Sequence, residues 1–314
     1  MDGIATTLRA RAFSAEGLLV GALVALVVFF SIASPVFLTL GNLENIGRQT
    51  ALVSIIAVGM TFVIVSGEFD LSVGSTLALA GVISAIAMKE IAQYAAIGAL
   101  AGLATGAAVG LLNGILTTRL RIPSFLITLG SLSIARGIVM LITDTRPVVI
   151  TNRSYFAIFG EGHFLGVPTP IVWTVVVILG GIIALHFTGF GRAVYAAGGN
   201  PTAARYSGIP VIRVKVISLT LAGFLAGLAG LVLSARAHAA RPDVGAGLEL
   251  DAITAVILGG AALSGGRGTV IGTLIGSLII GILGNGLVLI GVDPSIQIIV
   301  KGLIIWLSVS MSRG

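Results

Sequence analysis

A chain of 314 residues that is 56% apolar and 10% charged, with a mean hydropathy of +1.12, has too few polar residues to cover a soluble fold, since soluble domains are about 25% charged. It has no cysteine, which excludes disulfides, thiolate chemistry and cysteine-ligated zinc. Its net charge of +6 does not indicate nucleic acid: no short segment is dense in arginine and aromatic residues, and Lys and Arg gather in the cytoplasmic loops of membrane proteins.

The apolar residues come in long runs. A helix needs about 20 of them to cross a hydrocarbon core of about 30 Å, and in lipid its backbone groups must pair internally. Ten spans are predicted, near 17–37, 51–66, 72–88, 95–117, 124–143, 170–187, 216–236, 251–264, 269–290 and 295–310. The first follows Arg9 and Arg11 but exceeds the ~7–15-residue apolar core of a signal peptide, so it reads as a retained span. The expected fold class is an all-α polytopic membrane protein with one transmembrane domain over 1–314, an external loop at 144–169 and a cytoplasmic loop at 188–215.

Ten spans place both termini on one side. With the termini in the cytoplasm, the inner segments hold Arg9, Arg11, Arg119, Arg121, Arg192, Arg205, Arg213, Lys215, Arg267 and Arg313. The outer ones hold Arg48, Lys89, Arg146, Arg153, Arg241 and, at a span edge, Arg236. This excess favours cytoplasmic termini.

Gly102, Gly106, Gly110 and Gly114 recur every four residues on one helix face, where small residues let two helices approach closely. Packing within one bundle and a contact between subunits both fit that stripe. A faint repeat pairs Asp70 with Asp251, Asn113-Gly114 with Asn285-Gly286, and Arg136-Gly137 with Lys301-Gly302. Five spans separate the two halves, so the copies would be inverted, as in many transporters.

The loop from Gly189 to Lys215 reads GFGRAVYAAGGNPTAARYSGIPVIRVK. The GxG at Gly189 and Gly191, with Arg192 following, reads as a turn. Asn200 is a favoured N-cap and Pro201 suits the first helical position. Thr202, Ala203, Ala204 and Arg205 continue the helix, Gly208 stops it and Pro210 prevents its resumption. A helix this short is marginal alone, since isolated helices need about 12–15 residues. Either its own bundle or a soluble partner must hold it. Ala203 and Ala204 permit close approach, and Arg205 suits a partner carboxylate.

A charge at the bilayer centre costs about 2.5–3.5 kcal/mol on insertion scales. Arg136 and Lys301 therefore either snorkel from span ends or have partners or water. Asp70, Glu249 and Asp251 sit at span edges. The run 251–264 has 14 residues, too short to cross alone at about 1.5 Å per residue, and glycine-interrupted half-spans of this kind often line a solute path. Catalytic signals are absent: no lysine completes a GxxxxGK[ST] phosphate loop, the three histidines have no HExxH spacing, and there is no GxSxG elbow.

The 189–215 loop resembles the coupling segment of permease subunits of ABC importers of the ribose-type carbohydrate class. MTFVIVSGEFDLSVGS (Met60–Ser75), the GLLNG run with RIPSFLITLGSLSIARG (Gly110–Gly137), GLELDAITAVILGGAALSGGRGTVIGTLIG (Gly247–Gly276) and VKGLII (Val300–Ile305) are similar to that class in the same order. The resemblance implies a bacterial inner-membrane permease for a sugar-like solute, working as a dimer with an external solute-binding protein. It also implies a separate ABC ATP-binding subunit, which carries ATP and Mg and receives the Asn200–Gly208 helix, so that this chain binds no cofactor. Apart from the resemblance, the short spans and embedded charges make Glu68, Asp70, Ser72, Asn113, Arg136, Asp251, Thr254 and Asn285 the candidates along a solute path, where Ser72, Asn113, Thr254 and Asn285 can hydrogen-bond a sugar. Where that class typically has a glycine, this chain has Glu68, which adds a carboxylate near the path and weakens the transfer of ribose as substrate. A branched-chain amino acid or nucleoside permease, and an ion-coupled transporter or channel, remain alternatives.

Overall fold

A computed structural model describes residues 15–91 and 94–311; Arg9, Arg11 and Arg313 of the charge comparison lie outside the described residues. The chain is a polytopic all-α membrane protein. Its helices are α1 (Ala15–Ala33), α2 (Leu40–Val65), α3 (Val73–Glu90), α4 (Ala95–Leu120), α5 (Ser124–Thr143), α6 (Arg153–Tyr155), α7 (Thr169–Ile182), α8 (Gly189–Gly199), α9 (Pro201–Tyr206), α10 (Val211–Arg236), α11 (Leu248–Leu258), α12 (Val270–Leu289) and α13 (Pro294–Met311). Short strands β1 (Val148–Val149), β2 (His163–Phe164), β3 (Val167–Pro168) and β4 (Ala239–Ala240) pair as β1 with β4 and β2 with β3, both antiparallel.

Among the described residues seven helices are long and apolar enough to cross a membrane, rather than the ten expected: α2, α3, α4, α5, α7 with its wider last turn to Phe187, α10 and α12. α1 and α13 are shorter apolar helices among the described residues. The expected span 251–264 is only the 11-residue α11, which Gly259 ends and a glycine-rich loop follows. α2 begins eleven residues before the predicted 51–66 run. Polar residues there suggested a loop, yet Glu44 and Arg48 pair one helical turn apart at 3.2 Å.

α2, α3 and α10 form the buried centre, and α10 packs extensively on α4. The glycine stripe explains that pairing. A Cβ on Gly106 would overlap the Gly223 carbonyl, one on Gly110 the Leu219 carbonyl, and one on Gly223 the Gly106 carbonyl. The stripe therefore packs inside one chain, and the subunit-contact reading is set aside. A smaller apolar cluster of Phe30, Phe37, Ile46, Ile282 and Leu283 fastens α1 over α2 and α12.

The bundle has two ends. At one, β1 and α6 close over α3 and α10, with the buried Tyr155 hydroxyl between Ser84 (3.1 Å) and Ser234 (3.0 Å), and the β2–β3 hairpin packs on α7. At the other lie α8 and α9, the end of α2 and the glycine-rich loop Gly259–Gly268.

Candidate functional site

The α9 end carries an arm of two helices. α8 was not expected, because its glycines read as a turn. Gly189 and Gly191 instead lie in its first turn, where the Thr188 hydroxyl accepts from the Gly191 N–H at 3.2 Å. Gly191, and Gly198 at the far end of the helix, answer to close backbone approach rather than to a turn. A Cβ on Gly191 would overlap the Leu185 carbonyl, and one on Gly198 the Val65 carbonyl. Val194, Ala197 and Gly198 form its buried face. Phe190 stacks on Phe62 at 6.0 Å, and the Tyr195 hydroxyl donates to the Gly268 carbonyl at 2.7 Å. Burial pushes the Tyr195 phenol up, which keeps it a donor. Arg192 is exposed on the opposite face.

α9 follows with its signals as expected. The Asn200 Oδ1 accepts from the N–H groups of Thr202 (3.1 Å) and Ala203 (2.9 Å), and Pro201 opens the helix. Gly208, at φ +82° and with open space where a Cβ would sit, ends it ahead of Pro210. Ala203, Arg205 and Tyr206 are exposed, Tyr206 at 90%. Ala204, expected to meet a partner, is 5% exposed and packs inward instead. One buried methyl and two caps thus fasten a helix that displays the rest of its surface. Tyr206 escaped notice in the sequence because a lone tyrosine in a polar loop gives no periodic signal.

Between α2 and α3 the chain unwinds over residues 66–72, and side chains of α5 satisfy its backbone: Phe69 N–H donates to Ser124 Oγ (2.9 Å) and Leu71 N–H to Thr128 Oγ1 (3.0 Å). Asp70 is fully buried, and its Oδ1 accepts from the Ser72 N–H (2.8 Å) and hydroxyl (2.6 Å). Asn113 on α4 donates to Ser72 Oγ at 2.9 Å, and Ser131 on α5 donates to Asn113 Oδ1 at 2.5 Å. Three expected residues, Asp70, Ser72 and Asn113, thus form one relay, to which Ser131 is an unforeseen addition. Glu68 stands apart from it, paired with Lys215 Nζ of α10 at 2.5 Å.

The start of α3 meets the start of α11. A Cβ on Gly74 would overlap the Gly245 carbonyl and the Glu249 carboxylate. From that contact α3 runs toward Tyr155 while α11 runs toward the loop beside Gly198, in opposite senses, as inverted copies would. Acidic residues near both N-termini, Asp70 at one and Glu249 and Asp251 at the other, suit the positive ends of the helix dipoles.

The two embedded cations meet α11 at its start: one holds the segment that leads into it and the other its first turn. Arg136 donates to the carbonyls of Pro242 and, at 2.8 Å, Val244. Lys301 of α13 pairs with Asp251 at 2.8 Å. Neither snorkels unpartnered, and the second pairing, across 50 residues of sequence, had no local signal. Thr254 is buried and donates to the Leu250 carbonyl at 2.6 Å. Asn285 lies apart from the other candidates. It exchanges two hydrogen bonds with Asn42 of α2, at 3.1 and 3.0 Å, both residues being buried, an arrangement that ties α12 to α2.

Residues 42–309 match the family described as Branched-chain amino acid transport system / permease component. The chain is 46% identical over 291 residues to the ribose import permease protein RbsC of Escherichia coli (strain K12), covering 92% of this chain and 90% of the relative. It is 45% identical over 290 residues to RbsC of Bacillus subtilis (strain 168), covering 92% and 89%. It is 37% identical over 296 residues to the L-arabinose transport system permease protein AraH of Escherichia coli (strain K12), covering 93% and 90%. No solved structure matches the chain.

Proposed function

Since the chain belongs to the branched-chain amino acid transport system / permease component family, we propose that it is the membrane permease of a bacterial ABC importer for a monosaccharide, driven by a separate ATP-hydrolysing subunit. Identity to permeases named for ribose import, sustained along almost the whole chain, carries the choice of sugar over the amino acids in the family's description. Similarity to a permease named for L-arabinose extends the same class to a second pentose.

The physical case for an outside energy source is α9. A six-residue helix is capped at both ends yet displays an exposed tyrosine and arginine, and neither side chain has a hydrogen-bond or ion-pair partner among the described residues. A groove on the ATP-hydrolysing subunit, which holds ATP and Mg, would take Ala203, Arg205 and Tyr206. Motion of that subunit would reach the bundle through α8. Gly198 lies against the Val65 carbonyl at the end of α2, next to the unwound linker that carries Glu68 and Asp70. A pull on the arm therefore loads the Glu68–Lys215 pair and the Asp70–Ser72–Asn113 relay. The solute would pass along the polar groups of the α3 and α11 starts, with Asp70, Ser72, Asn113, Asp251 and Thr254 beside it and Arg136 fixing the α11 approach. Asn285 stabilises the frame around that path.

The α9 end carries Arg119, Arg121, Arg192, Arg205, Arg213, Lys215 and Arg267, a basic balance that supports a cytoplasmic position for this end. The α6 end would then receive the solute-binding protein. α4, α5 and α7 bury the smallest shares of their spans, 22%, 17% and 33%, leaving surface for lipid and a second copy.

Co-purification tests the reading. The chain should bring an ATP-hydrolysing subunit with it, and proteoliposomes holding both with the cognate binding protein should take up labelled ribose or L-arabinose. Uptake of leucine alone would favour the amino-acid reading. Ion-gradient uptake without the ATPase would favour a secondary transporter.

A further inference from the structure

A cavity of about 740 Å³ opens at the α9 end, where the α2–α3 linker, the end of α4 with its link to α5, α9 and α10 meet. Its charged lining is Glu68, Arg121, Arg205 and Lys215, three cations against one carboxylate. Lys215 answers Glu68. The guanidinium groups of Arg121 and Arg205 have no hydrogen-bond or ion-pair partner among the described residues. Thr117, 5% exposed, also lines the cavity, and its buried hydroxyl has no partner. Two unspent charges thus line one space, with the Thr117 hydroxyl sealed behind its wall.

We propose that this cavity is a binding site for a phosphate ester, held by Arg121 and Arg205. Planar guanidinium forks match phosphate oxygens in a way that a point charge does not. A carboxylate would leave part of that donor capacity unused. Small-molecule sites measure about 300–1,000 Å³, so the cavity holds more than inorganic phosphate, and its apolar wall of Ile122, Val211 and Ile212 suits carbon. Two sources present this chemistry, a soluble sugar phosphate and the headgroup of an anionic phospholipid, which basic pockets between membrane helices take up. A ligand joining Arg205 on α9 to Arg121 beyond the end of α4 would tether the arm. That regulatory consequence rests on the transport reading, whereas binding itself does not.

Binding is therefore tested without transport. The purified full-length chain in phosphatidylcholine nanodiscs is titrated calorimetrically with ribose 5-phosphate. In a second arm, nanodiscs containing phosphatidylglycerol are dissociated and the retained lipid is weighed by native mass spectrometry. Binding in either arm is expected, the responding arm naming the source. Affinity should fall about tenfold or more in Arg121→Gln and in Arg205→Gln, as the loss of one charged hydrogen bond implies. Arg267→Gln, a cation of the same end outside the cavity, should leave it unchanged. Silence in both arms, or an equal loss in Arg267→Gln, would overturn the site and leave the guanidinium groups to an acidic face of a protein partner.

Discussion

Replacing Asn200 by alanine removes the side-chain oxygen that accepts from Thr202 and Ala203 and leaves the backbone bond from the Asn200 N–H to Ala196 in place. Loss of such a cap costs about 1 kcal/mol, a factor of about five in a local equilibrium. α9 has six residues and only Ala204 buried, so it has little else to draw on, and the cost falls on the helix rather than on the bundle. Hydrogen exchange at the amides of residues 204–208 should accelerate by that factor, while exchange in α2 and α10 stays as it was. Asn200→Asp, which keeps an acceptor, should exchange like the parent, and Asn200→Gly should fall between them. Under the lever reading, ATP-driven uptake drops with the helix population in the same order. Faster exchange in Asn200→Ala with undiminished uptake would refute the lever, and unchanged exchange would refute the account of how α9 is held.

Gly198→Ala forces a methyl onto the Val65 carbonyl and should cost about 1–3 kcal/mol as overpacking. Gly199→Ala meets nothing nearer than 3.8 Å and should stay within about 0.5 kcal/mol; thermal melts in detergent compare them. Lys215→Met strands the Glu68 carboxylate, 8% exposed, at a cost of about 2 kcal/mol because the pair still borders a cavity, and Glu68→Gln in the same chain should restore most of it. Arg136→Ala frees the carbonyls of Pro242 and Val244, at about 1–3 kcal/mol each. Uptake should fall sharply in that variant and in Asp70→Ala while both still insert, as membrane fractionation would report; normal uptake in both removes these residues from the path.

What could be read from the sequence was local. Asn200, Pro201 and Gly208 act within one or two turns, so the start and stop of α9 were visible before any tertiary contact. α8 was hidden because a glycine demanded by the distant Val65 carbonyl looks the same in sequence as one demanded by a turn. Arg48 read as part of an outer segment, since the Glu44 that answers it gives no apolar signal, and the partner of Asn285, Asn42, is distant in sequence. Asp70 and Asp251 lie near two helix starts that meet. Their partners differ, Ser72 for one and Lys301 for the other, and no spacing announced that. Glu68 stood out as an extra carboxylate, and that signal justified a search for its cation, which is Lys215.

Energy coupling is tested most directly by reconstitution with a single change of content. Liposomes holding the purified chain are compared with liposomes that also hold its ATP-hydrolysing subunit and binding protein, with labelled ribose outside and ATP on the α9 side. Accumulation above the outside concentration is expected only with the full set, and it should fail when Asn200–Gly208 is replaced by a flexible glycine-serine segment. Accumulation by the chain alone, or undiminished accumulation with that replacement, would contradict the account.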